Sequence, residues 1–148
     1  MTPAFCLLTA VLLTAVAMAA PTTGPTAESP LKNLRDRRRV LVIVAPDGDD
    51  TSLDKQRQIA RADVGGFAER DLTVIEAVGG SGTLDGTPLP AASVAAMCRE
   101  LRVDGKAFAV LLIGKDGGVK LREGMPVEAK QLYELIDSMP MRQREMKR

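Results

Sequence analysis

Phe108 to Met146 reads FAVLLIGKDGGVKLREGMPVEAKQLYELIDSMPMRQREM, and its pattern decides what kind of object the chain is. Phe108-Ala109-Val110-Leu111-Leu112-Ile113 is continuously apolar and short, as a strand covered on both faces requires. Gly114-Lys115-Asp116-Gly117-Gly118 supplies the positive φ angles of a tight reversal. Val119-Lys120-Leu121-Arg122 then alternates with period two, the mark of a return strand buried on one face. Pro126 stands where a first helical residue would, its missing N–H costing nothing there. Behind it Ala129, Leu132, Leu135, Ile136 and Met139 form one apolar stripe. Pro140 is expected to end that helix, because the residue before a proline avoids the α region. Met139-Pro140-Met141 is expected to dock the tail through methionine side chains.

Further back, Val40-Leu41-Val42-Ile43-Val44-Ala45 is a second continuous apolar run and the best candidate for a central strand. Pro46-Asp47-Gly48-Asp49-Asp50 breaks it. Thr51 or Ser52 is expected to cap a helix carrying Leu53, Ala60, Val64 and Phe67 on one broad face. Leu72 to Val78 reads as a third strand and Gly79 to Pro90 as a loop. Ser93 to Leu101 reads as a helix, with Val94, Met97, Cys98 and Leu101 at i, i+3, i+4 and i+7. The expected order is β-α-β-α-β-β-α, an α/β fold with a central mixed sheet flanked by helices. A parallel βαβ unit followed by an antiparallel hairpin and a closing helix is the thioredoxin-like arrangement.

Residues 1–19 are expected to be a signal peptide: an apolar run from Cys6 to Val16 followed by Ala17-Met18-Ala19, a small-x-small cleavage signal. A membrane anchor is the alternative, but the run is shorter than a spanning helix needs, so no stable span is expected after its removal. Residues 20–30, rich in Pro, Thr and Ser, read as a flexible linker, and 31–148 as the folded domain. The expected location is therefore secreted or periplasmic. Cys98 is then the only thiol of that domain, which excludes an internal disulfide and leaves the core to hold the fold.

The functional reading begins with an absence: the 148 residues contain no histidine. That removes the usual general base and the Ser-His and Cys-His arrangements. With a net charge of +1 and aromatics at 3%, neither a strong field nor stacking side chains point to nucleic acid. A thioredoxin-like enzyme carries its thiols just after the first central strand, where the helix dipole lowers their pKa. Here that place, Ala45 to Ser52, has no cysteine. Cys98 on the apolar helix face reads as a small hydrophobe, with a reactive role as the lesser reading. Asp47, Asp49 and Asp50 suggest a cation loop, but Ser52 and Gln58 stand where an EF-hand has glycine and glutamate, so ordinary acidic residues before a helix are the better reading. Gly79 to Gly86 has phosphate-loop composition, yet Pro88 and Pro90 separate it from the helix, and no cofactor is expected. Arg35, Arg37, Arg38 and Arg39 enter the first strand, and Arg142 and Arg144 lie near the last residue. If the two groups are close they form a patch for an anionic surface.

Val40 to Pro46, Glu69 to Glu76, Leu112 to Arg122 and Leu135 to Arg142 resemble one family: the peroxiredoxin-like domain of unknown function called DUDES. The resemblance covers about Leu31 to Arg148. It implies a thioredoxin-like fold without the redox motif. It also implies an extracytoplasmic place, as in small exported bacterial proteins and the C-terminal domains of animal sushi-repeat-containing and matrix-associated proteins. It carries no catalytic residues over. The expected function is a non-catalytic binding or adhesion domain whose partner is a protein or an anionic polysaccharide outside the cytoplasm. The alternative is a divergent enzyme, either one-cysteine redox chemistry at Cys98 or a site using Asp47, Asp49 and Asp50.

Overall fold

The computed structural model describes residues 27–148. The expected signal peptide and most of the linker lie outside the described residues. Packing begins slightly earlier than expected: Ser29 is buried, and its hydroxyl accepts from the Leu31 N–H at 3.3 Å.

The elements are α1 (Leu31–Leu34), β1 (Arg39–Ala45), α2 (Thr51–Ala62), α3 (Val64–Glu69), β2 (Leu72–Val78), β3 (Ser81–Leu84), β4 (Thr87–Leu89), α4 (Ala91–Leu101), β5 (Ala109–Ile113), β6 (Val119–Glu123), α5 (Ala129–Asp137) and α6 (Pro140–Met146). They build one six-stranded sheet in the order β4-β3-β2-β1-β5-β6. β1 is central and every one of its residues is buried, which explains the unbroken apolar run from Val40 to Ala45. It runs parallel to β2, through the α2–α3 crossover, and antiparallel to β5. The β2-β1-β5-β6 portion with helices on both faces is compatible with the expected thioredoxin-like arrangement.

Strand alternation divides the core in two. Leu41, Ile43 and Ala45 point to one face, with Leu53 of α2, Phe67 of α3, and Leu132 and Ile136 of α5. Val40, Val42 and Val44 point to the other, with Val94, Met97 and Leu101 of α4 and Leu31 of α1.

Four local expectations are corrected. Gly79 to Pro90 is not a loop but two successive hairpin turns with a pair of short strands. Gly79-Gly80 and Asp85-Gly86 each join paired strands through two residues with positive φ, as a type I′ turn demands. The β3 strand also needs Gly82, because a Cβ there would meet Val94 Cγ2 at 2.6 Å and block α4 from the sheet. The helix expected from Thr51 to Phe67 is broken at Asp63, which ends α2 and caps α3 by accepting from the Gly66 N–H at 2.8 Å. Pro126 does not open α5. Val127 is clamped by the buried Gln56, whose amide donates to Val127 O (3.2 Å) and accepts from Val127 N–H (2.7 Å). Finally, the methionine docking expected around Pro140 is met by Met139 alone, which packs on the core. Pro140 is the first residue of α6, and Met141 and Met146 are exposed. Ion pairs hold α6 instead.

Candidate functional site

Two places at opposite ends of β1 can carry function. At its C-terminal end the chain turns through Pro46 to Asp50 into α2. Neither Thr51 nor Ser52 caps the helix; Asp50 does. Its Oδ1 accepts from the N–H groups of Ser52 (2.8 Å) and Leu53 (3.2 Å). The carboxylate therefore occupies the electropositive helix terminus where a thioredoxin-like enzyme would stabilise a thiolate. Asp47 accepts from the Asp49 N–H at 3.0 Å, an ordinary Asx turn. Among the described residues, no three acidic or cysteine side chains are grouped to hold a metal ion.

Cys98 is half-buried beside the Val94 core, and burial pushes its thiol upward from the ordinary value. It lines a cleft of about 280 Å³ with Ala45, Gly80 and Arg99. The cleft adjoins the end of β1, but on the α4 face of the sheet, and Asp104 is the carboxylate that lines it.

At the N-terminal end of β1 the two arginine-rich segments meet. Asp36 N–H donates to Lys115 O at 2.7 Å, and Asp36, Lys115, Arg144, Glu145 and Arg148 line one hollow of about 310 Å³. The six arginines singled out from the sequence separate into two sets. Arg39 and Arg142 turn inward. Arg39 is buried, donating to Arg70 O (2.8 Å) and to both carboxylate oxygens of Glu145 (3.2 and 3.3 Å). Arg142 is also buried, donating to Asp137 (3.0 Å), Glu69 O (2.9 Å) and the Glu69 carboxylate (2.6 Å). Arg35, Arg37, Arg38 and Arg144 are exposed. Among the described residues, no carboxylate lies within ion-pair distance of these four.

The residues that sequence reasoning missed are the partners. Lys115 joins Asp71 (2.8 Å) to Glu145 (2.7 Å), and Arg70 reaches Asp137 (2.7 Å) while lying 4.1 Å above the Tyr133 ring. Lys115 hydrogen-bonding holds the Asp71 carboxyl below its usual range. Partial burial alone would raise the carboxyls of Asp137 and Glu145. The opposing hydrogen bonds and charges of Arg70 and Arg142, and of Lys115 and Arg39, outweigh it and hold both low.

These features define an α/β domain whose six-stranded sheet flanked by helices is compatible with a thioredoxin-like layout, with Asp50 closing the helix terminus after β1 and an arginine-rich opposite end. The chain belongs to the family described as a domain of unknown function (DUF4174), which matches residues 30–145. It is similar to coiled-coil domain-containing protein 80 of the zebrafish Danio rerio, with 29% identity over 136 residues. That match covers 80% of this chain and 16% of the zebrafish protein, so the chain spans a small part of that relative's length. No solved structure matches the chain.

Proposed function

We propose that this chain is an exported, non-catalytic binding domain that holds an anionic polysaccharide at the arginine-rich end of its sheet. The observation that carries the reading is that Arg35, Arg37, Arg38 and Arg144 are all exposed, on two segments that meet where Asp36 and Arg144 line one hollow. Exposed guanidinium groups on adjoining segments match sulfate or carboxylate groups spaced along a polymer. The Asp50 carboxylate on the α2 terminus supports the non-catalytic half of the reading. Export rests on the apolar run and small-x-small signal of residues 1–19, and the resemblance to the DUDES family agrees with it.

The test is retention on immobilised heparin, with neutral dextran as control. Retention should weaken steeply with salt. It should fall at least ten-fold in affinity when all four arginines become alanine. Absence of retention at low salt, or full retention by the quadruple variant, overturns the polysaccharide assignment.

One-cysteine redox chemistry is the second reading, favoured by the closeness of Cys98 to Ala45 in the same cleft. The upward-shifted thiol weighs against it, since the thiolate is the nucleophile. Peroxide reduction that disappears in Cys98→Ala would establish it.

A further inference from the structure

The guanidinium of Arg39 is incompletely used. Nη1 donates both its N–H groups, to Arg70 O and Glu145 Oε2, and Nη2 donates one, to Glu145 Oε1. Glu145 thus takes the end-on face. The side-on face, made by Nε–H and the other Nη2 N–H, remains, and the buried Nε has no partner. A buried donor without an acceptor is costly, so such a group calls for an explanation. The side-on pair is a planar fork with the spacing of a carboxylate.

Arg39 lines a pocket of about 260 Å³ between the β5–β6 turn and the α5–α6 junction. Its other charged linings are Lys115, Lys120 and Asp116, and its apolar wall is Met139, Pro140 and Met141. Lys120 lies across the turn because residue 114 is glycine; a Cβ there would meet Lys120 Cε at 2.6 Å. Its ammonium is held over the turn by Asp116 at 2.6 Å. Cations at one side and flexible methionines at the other describe a site for an amphipathic anion.

We propose that this pocket binds a small monocarboxylate with an aliphatic tail, its carboxylate on the side-on fork of Arg39 and the Lys120 ammonium, its tail on Met139 and Met141. The Arg39 Nε is shut off from solvent, so the exposed side chains of Met141 and Lys120 must move aside when the carboxylate enters. The site goes beyond the polysaccharide reading and uses none of its four arginines.

The experiment is calorimetric titration of residues 27–148 within the full chain, with hexanoate, hexanamide and inorganic phosphate as separate probes. Hexanoate should bind at least ten-fold more tightly than either of the others. Lys120→Gln should weaken hexanoate at least ten-fold, as should Arg39→Lys, which keeps the charge and loses the fork. Lys120 is on the surface, so its variant keeps the test decisive if Arg39→Lys does not fold. The variant lacking Arg35, Arg37, Arg38 and Arg144 should bind hexanoate as before, whatever it does on heparin. No hexanoate binding, equal binding of hexanamide or phosphate, or indifference to Lys120→Gln overturns the assignment.

Discussion

Arg39 opens β1 and Glu145 lies in the last turn of α6, yet Nη1 of the first donates to Oε2 of the second at 3.2 Å, across 106 positions of sequence. The bond ties the final helix to the central strand. Because Arg39 is 1% exposed while the Glu145 side chain keeps 28%, the arginine bears most of the burial. Replacing Glu145 by alanine should cost about 2–4 kcal/mol, toward the lower end for a broken buried pair because Glu145 is partly wet. Arg39→Met with Glu145→Leu should recover much of that loss. Urea unfolding of the single and double variants measures both, and equal stability of Glu145→Ala and wild type would contradict the tie.

Acid should loosen the same end. The carboxyls of Glu145, Asp137 and Asp71 sit below their ordinary values of 4.5, 3.8 and 3.8 in the fold, so the unfolded chain takes up protons first as pH falls. Their stabilisation is complete above about pH 5 and is lost progressively below it, as pH falls toward the folded values. The melting temperature should stay level from neutrality to that point and then drop. Glu145→Gln should start lower and drop less. An identical acid slope in the variant would assign the effect to other carboxyls.

Gln56 offers a test away from the charges. Its amide exchanges two hydrogen bonds with the backbone of Val127, as a neighbouring strand would, and it is fully buried. Gln56→Leu removes both partners and leaves a buried N–H and C=O unsatisfied, which should cost about 2–4 kcal/mol. A loss below about 0.5 kcal/mol, the size of an ordinary surface change, is incompatible with the clamp.

Cys98 should behave as a packing residue. Cys98→Ala should lower stability by about 1 kcal/mol and leave heparin retention unchanged. Burial raises the thiol, so its reaction with a disulfide reagent at neutral pH should be slower than that of a free cysteine. Faster reaction would mark it as activated and revive the redox reading.

What the sequence revealed depended on how local each feature was. β1 and β5 were legible because a strand covered on both faces carries mostly apolar side chains, and α4 because its stripe lies within eleven residues. The β3–β4 hairpin was missed although Asp85-Gly86 is a strong turn signal, since the glycine- and proline-rich composition of residues 79–90 reads as a loop. Asp63 was overlooked as a helix break because Val64 and Phe67 prolonged the apolar stripe. The site was half legible. The arginine segments were recognisable by composition, but which of them turn inward depends on Glu69, Asp137 and Glu145, and the Glu69–Arg142 and Arg39–Glu145 pairings span 73 and 106 positions. No periodicity reports a contact of that kind.

Pro88 has one more consequence. It occupies the middle of the three-residue β4 at one border of the sheet, where the two-residue turn makes Leu84 and Thr87 the bonded pair and directs the Pro88 nitrogen outward. That border has no donor to offer a foreign strand at its centre. The other border is β6, whose exposed residues include Lys120. A domain whose strands β1 and β5 are mostly Val, Leu and Ile therefore shields them from edge-to-edge fibre growth with one proline and a short charged strand.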